Sequence, residues 1–159
     1  MPAIVPHLWF DTRALEAAEF YVSVFPDSRI VDVQRYGAWG GEREGTVVTV
    51  DFELDGTRFT GINGGPEFTF DEAVSFMVPC ADQAEVDHYW DALLAGGGTP
   101  SQCGWLVDRF GLSWQVGPRR LDELLRDPDP ARAERTAAAM MRMAKLDVAA
   151  LEAAADGTG

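Results

Sequence analysis

The sequence predicts an α+β protein of two like-built halves, each running strand, helix, strand and hairpin, followed by a helical tail. Three observations predict it. Val48, Val50, Phe52 and Leu54 alternate with Thr49, Asp51 and Glu53, the period-2 pattern of a half-buried strand. Asp55-Gly56 then supplies the left-handed turn of a tight hairpin, and Arg58 to Ile62 returns antiparallel. The same order of elements recurs about 68 residues later, Phe10 standing where Val78 stands in the second half.

Taken in order, Ile4 to Phe10 reads as a first strand with Leu8 and Phe10 on one face and His7 and Trp9 on the other. Asp11 or Thr12 caps a helix whose apolar stripe is Ala14, Ala17, Tyr21 and Val24, and Pro26 stops it. Arg29 to Tyr36 is a second strand, and Gly37 to Glu42 has the composition of a mobile loop. The hairpin follows and ends in Asn63-Gly64-Gly65-Pro66. The second half opens on a strand from Ala73 to Val78. Asp82 and Glu85 have capping-box spacing, and Val86, Tyr89, Trp90, Leu93 and Leu94 form a helical stripe closed by Gly96 to Gly98. A strand through Thr99 to Gln102 and a hairpin of Trp105–Val107 with Leu112–Val116 complete the repeat. In the tail, Arg119 to Arg126 forms a short helix. Asp129-Pro130 starts a second that runs to Lys145 with Ala137, Met140, Met141 and Ala144 inward, and Asp147 caps a third over Val148 to Ala155. Domain organisation follows: residues 1–118 hold the two modules, about 4–65 and 73–118, as one domain, and residues 119–159 are C-terminal helices.

Composition narrows the partners. The 159 residues carry a formal net charge of -13, and the acidic excess lies almost wholly before Arg119. Such a surface repels phosphate backbones, so neither nucleic acid nor an anionic membrane is an expected partner. No stretch has the roughly 20 apolar residues that span a bilayer, and no leader is read at the start. The two cysteines, Cys80 and Cys103, lack metal-type spacing, so the expected setting is cytoplasmic with free thiols.

The candidate chemistry lies on the polar strand faces. His7 is read as a general base or metal ligand, or as a pocket-lining imidazole bonded to a carboxylate. Asp51 and Glu53, two apart on one strand face, form an acid/base pair or simply two solvated carboxylates. Cys103 is expected to be a buried, inert thiol, and His88 to be exposed.

The segments His7-Leu8-Trp9-Phe10-Asp11, Phe20-Tyr21, Val24-Phe25-Pro26, Phe52-Glu53-Leu54-Asp55-Gly56, Asn63-Gly64-Gly65-Pro66, Cys103-Gly104-Trp105 and Phe110-Gly111-Leu112-Ser113-Trp114-Gln115 together resemble the vicinal oxygen chelate superfamily. This is the glyoxalase/bleomycin-resistance/dioxygenase fold of paired βαβββ modules, and the resemblance is to its PhnB-like branch, sometimes labelled 3-demethylubiquinone 3-methyltransferase. The resemblance covers about residues 5 to 118, with the tail similar more loosely. It implies a homodimer and, in catalytic members, a divalent metal ion on the concave sheet face. By position the ligands fall on His7, Asp51, Ala73 and Gln115. Ala73 cannot bind a metal and Gln115 stands where a glutamate is usual, unless Glu53 substitutes. The methyltransferase label finds no glycine-rich turn between a strand and a helix to support it.

The functional expectation is a small polar ligand bound in a concave sheet pocket, with weak catalysis or binding only and no complete metal site or other cofactor. His7, Asp51 and Glu53 are the catalytic candidates, and Trp9, Ser75, Met77, Ser113 and Gln115 the ligand-binding ones. Two alternatives stand beside it. One is a divalent-metal-dependent isomerase, lyase or dioxygenase with His7, Asp51 and Glu53 or Gln115 as ligands. The other is a non-catalytic scaffold that docks a basic partner.

Overall fold

The alternation of the hairpin strand becomes the two faces of a four-stranded sheet. A computed structural model describes residues 4–158, and the chain divides into two compact units, residues 1–70 and 71–159. In the first, β1 (His7–Phe10) leads through helix α1 (Ala14–Val24) to β2 (Arg29–Arg35), a 3-10 segment (Ala38–Arg43), β3 (Val47–Leu54) and β4 (Thr57–Asn63). The strand order is β1-β4-β3-β2, with β1 parallel to β4 and the other pairs antiparallel. Val50, Phe52 and Leu54 are buried on one side, as are Ala14, Ala17, Ala18 and Tyr21 of α1. The ring of Tyr21 lies 6.2 Å from that of Phe52, which stacks on Phe59 at 5.5 Å. Each such aromatic removed from water contributes about 2 kcal/mol. The turn has the expected geometry, Asp55 and Gly56 both at positive φ.

Two local readings differ from the structure here, the first because a distant residue supplies what the neighbouring sequence does not. Neither Asp11 nor Thr12 caps α1. Arg13 holds the cap position without a side-chain bond. The helix is capped instead from β4, where Asn63 Oδ1 accepts from Ala14 N–H at 2.8 Å. The stretch with the composition of a mobile loop is a 3-10 segment, tied down by Tyr36, whose backbone pairs with Gly45 and Thr46 and whose hydroxyl donates to Asn63 O at 2.7 Å.

The second unit repeats the plan. Its strands β5 (Ser75–Cys80), β6 (Thr99–Pro100), β7 (Trp105–Val107) and β8 (Ser113–Pro118) take the order β5-β8-β7-β6, with α2 (Gln83–Leu94) following β5. Asp82 caps α2 as expected, its Oδ1 accepting from Glu85 N–H, and Glu85 reaches back one residue past the cap, its Oε2 accepting from Ala81 N–H. The β7–β8 turn is built on Asp108, only 3% exposed. Its Oδ1 takes the N–H groups of Phe110 and Leu112, and its Oδ2 the indole N–H of Trp114.

The tail forms α3 (Arg119–Leu125), α4 (Pro130–Met140) and α5 (Val148–Asp156), with Asp129 and Asp147 capping as expected. Leu121, Leu124, Ala139, Leu146, Leu151 and Ala155 make its core. Helix α4 ends at Met140 rather than Lys145, and its buried positions are Thr136 and Ala139. Met141 is 59% exposed, while Met140 and Met143 pack on the core. Three successive alanines, 137 to 139, leave the inward face undetermined by pattern alone.

The tail is stitched to the rest of its unit by polar contacts around one segment. Met143 O and Ala144 O accept from the N–H groups of Cys103 and Gly104. Gln83 Nε2 donates to Leu146 O and its Oε1 accepts from Val148 N–H. Lys145 Nζ lies 2.9 Å from Asp87 Oδ1. Lys145 and then Gln83 hold the Asp87 carboxyl below its ordinary value of 3.8, and Asp87 raises Lys145 above 10.5. A lowered aspartate stabilises above its unfolded value and ceases to as pH falls through its folded one; a raised lysine does the reverse at high pH. The clamp is therefore complete between these limits. Lys145→Ala should remove part of the stability loss seen on acidification below pH 3.8, measured as urea midpoints against pH; an unchanged acid limb would show the pair to be idle.

Cys80 is fully buried, and burial, reinforced by Glu85 and Asp82, pushes its thiol up to about 11. Cys103 is half-buried rather than buried. It adopts a left-handed backbone (φ 58°) beside the stitching segment, with Sγ 3.6 Å from Met141 Sδ. Both thiols are free. Among the described residues no helix is long and apolar enough to cross a membrane.

Candidate functional site

Residues paired directly across neighbouring strands project from the same face. In the first unit His7 pairs with Thr60 and Thr60 with Asp51, so the three form one row across β1, β4 and β3. Alternation places this row opposite Leu8, Val50 and Phe52, which are buried. His7 is exposed, and its Nδ1 lies 3.0 Å from Val5 O. A carbonyl only accepts, so Nδ1 carries a hydrogen and Nε2 of the neutral ring is the free acceptor. Thr60 Oγ1 donates to Asp51 Oδ1 at 2.6 Å. Arg58 Nη2 approaches Asp51 Oδ2 at 3.9 Å, and Arg29 Nη2 lies 2.9 Å from Glu53 Oε2.

These contacts decide what the acids can do. Asp51 is engaged by a hydroxyl and flanked by a guanidinium, and Glu53 is neutralised by Arg29. Among the described residues no group of three or more His, Cys, Asp or Glu is placed to hold a metal ion. A closed protein ligand set for a resident divalent ion is therefore missing among the described residues.

Trp9, expected to contact ligand, is half-buried and already fixed. Its Nε1 donates to Gly65 O at 2.9 Å and its ring meets Phe68 edge-on at 5.1 Å. Gly64 lies under the ring so closely that a Cβ there would stand 2.1 Å from Cζ2. The Asn63-Gly64-Gly65 stretch thus serves as a seat for Trp9, which keeps only ring surface for a ligand.

The second unit carries the equivalent row. Ser75 pairs with Ser113 and Ser113 with Val107, the places of His7, Thr60 and Asp51 in the first. Gln115, paired with Met77, donates from Nε2 to Ser75 Oγ at 2.9 Å. Met77 remains 47% exposed. Ser113 is 1% exposed, and its Oγ has no hydrogen-bond partner among the described residues. The repeat gives the reason: Thr60 has Asp51 across from it, whereas Ser113 has Val107. The sequence pattern singles out Ser113 but not Thr60, whose importance depends on a register that no local pattern specifies. Ala73 lies just before β5, not within it.

Two βαβββ modules of one strand order, each with a polar row opposite its buried face, define a vicinal oxygen chelate protein. The chain belongs to the PhnB-like family of that superfamily: the family model described as 3-demethylubiquinone-9 3-methyltransferase matches residues 2–117. The PhnB protein of Bacillus cereus is 34% identical, with a TM-score of 0.66 over 74% of this chain and 99% of that one. A Pseudomonas aeruginosa protein (18% identity, TM-score 0.57, 74% and 98% covered) shares the fold. So does the fosfomycin resistance protein FosX of Listeria monocytogenes (14%, 0.53, 79% and 97%). No curated protein matches. The helices after Pro118 lie beyond the family match.

Proposed function

We propose that this protein binds a small polar molecule on its polar strand faces, and that residues 1–118 work as a single domain. In the first module His7, Asp51 and Glu53 would orient the ligand, with Trp9 giving ring surface. The second module carries its own candidate set, Ser75, Ser113 and Gln115 beside Met77. The observation that carries the reading is the Ser113 hydroxyl. A buried hydroxyl without a partner costs about 1–3 kcal/mol, and a ligand acceptor that displaced the side chains covering Oγ would relieve that cost where the sister module uses Asp51.

The reading is testable because it sets stability against binding. Ser113→Ala should leave the free protein as stable as before, or raise its unfolding free energy by up to about 1 kcal/mol. Thr60→Val, which orphans Asp51, should lower it. In a thermal-shift screen of polar metabolites, a compound that stabilises the native protein should lose most of its effect in His7→Ala or in Ser113→Ala, according to the module that holds it. Full retention in both variants would refute the assignment, as would a screen without a stabilising compound. Tight one-to-one binding of Mn2+, Ni2+ or Zn2+ that His7→Ala abolishes would instead establish the metal-dependent alternative.

The family's description names methyl transfer, but the glycines that would have to cradle a methyl donor are otherwise employed. Gly96 and Gly97 follow α2 at positive φ, as a helix stop requires, and Gly64 seats Trp9. A homodimer belongs to the proposal, supported by the exposure of Met77 (47%) on β5 and of Val74 (64%) beside it, at the edge of the second sheet. Sedimentation equilibrium should give twice the 17.4 kDa chain mass; a monomer at micromolar concentration would refute it. A cytoplasmic location is proposed on the two free thiols.

A further inference from the structure

A second site lies in the first unit, away from the His7–Thr60–Asp51 row. A cavity of about 410 Å3 opens beside the first turn of α1, where Asp11 and Leu15 meet Tyr36, the 3-10 residues Glu42 and Arg43, and Val47 at the start of β3. Its volume is within the range of small-molecule pockets, and none of its lining residues belongs to the polar row. Its frame is rigid. Arg43 Nη1 donates to Tyr36 Oη at 3.2 Å, with the guanidinium carbon 5.1 Å from the Tyr36 ring centre, and Tyr36 Oη donates onward to Asn63 O.

The charges of this cavity are unmatched. Arg13, Arg29, Arg58, Arg120, Arg132 and Lys145 each face a carboxylate within 4.0 Å, while among the described residues Arg35, Arg119, Arg126, Arg135 and Arg142 do not. Arg43 makes no such pair, and neither Asp11 nor Glu42 has an ion-pair or hydrogen-bond partner among the described residues. One cavity thus presents a guanidinium and two carboxylates that do not neutralise one another, above an apolar floor of Leu15, Val47 and the Tyr36 ring. A lone anion would meet the two acids, and a lone cation would meet Arg43. A molecule carrying both charges on a small apolar body satisfies all of them.

We propose that this cavity binds a zwitterion of the amino-acid class, its carboxylate on the free guanidinium edge of Arg43, its ammonium toward Asp11 and Glu42, and its side chain against Leu15, Tyr36 and Val47. The site is independent of the polar-face pocket, and its success or failure leaves that reading untouched.

The test uses L-phenylalanine as probe, with its methyl ester lacking the carboxylate and its N-acetyl derivative lacking the ammonium, followed by amide chemical shifts of the full chain. The amino acid should bind saturably, shifting resonances of Leu15, Glu42, Arg43 and Val47, and each blocked form should bind at least about tenfold more weakly, the loss expected for one charge-assisted contact. Arg43→Met should bind the amino acid and its ester alike. Glu42→Gln with Asp11→Asn should lose the preference for a free ammonium. Asp11, Glu42 and Arg43 are exposed, and unchanged amide spectra away from the cavity would show that the variants keep the fold. Equal binding of all three compounds, shifts confined to the His7 face, or no saturable binding at millimolar probe would overturn the assignment.

Discussion

Asp108→Ala is expected to lower the unfolding free energy by about 4 kcal/mol, enough to unfold a marginal domain. The carboxylate is 3% exposed and accepts three hydrogen bonds, from Phe110 N–H and Leu112 N–H through Oδ1 and from Trp114 Nε1–H through Oδ2. Removing it strands two buried donors, each costing about 1–3 kcal/mol, and a half-buried third, and opens a small void beneath the turn. Asp108→Asn separates the two functions. Its carbonyl oxygen can still hold the turn amides, but its NH2 then faces the indole N–H, so the loss should be about half as large. Urea unfolding gives the magnitudes, and the near-UV signal of Trp114 should change in both variants. A loss below about 1 kcal/mol in Asp108→Ala would mean that water replaces the carboxylate and that the turn is held by its strands alone.

The second large effect belongs to the first unit. Asn63→Ala should cost about 3 kcal/mol. Asn63 is 7% exposed, and its amide joins two elements: Oδ1 caps α1 through Ala14 N–H at 2.8 Å, and Nδ2 donates to Val47 O at 3.1 Å. Losing a cap costs about 1 kcal/mol, and orphaning the Val47 carbonyl costs as much again or more. Asn63→Asp keeps an acceptor at the helix N-terminus, where negative charge is favoured, but turns a carboxylate toward Val47 O. It should fall between the native protein and the alanine variant. If the aspartate substitution proved as damaging as the alanine one, the Val47 contact rather than the cap would dominate.

These two residues show which parts of the fold are legible in advance. Local pattern marks Asn63 only as the start of a turn and points to Asp11 or Thr12 for the cap of α1. Such rules look one to three residues ahead of a helix, whereas the group that caps this one arrives 49 residues later. The caps at Asp82, Asp129 and Asp147 are legible because donor and acceptor lie within three residues of each other. The same contrast governs the site. Alternation is enough to place His7 and Asp51 on the face opposite the buried side chains. It cannot place Thr60 between them, reveal that Arg29 holds Glu53, or show that Trp9 is engaged by Gly65.

By itself the sequence determined the two-module plan, the hairpin turn at Asp55-Gly56, the strand faces and the family. The plan and the strand faces follow from steric and hydrophobic patterns that repeat every two or 3.6 residues and act before any long-range contact forms, the turn from its Asp-Gly pair, and the family from the resemblance of its motifs. The tertiary structure alone decided which polar groups on the strand faces found partners. Cross-strand register set Thr60 against Asp51 but Ser113 against Val107, so two rows of similar composition acquired different chemistry, one with its hydroxyl satisfied and the other with its hydroxyl buried and waiting.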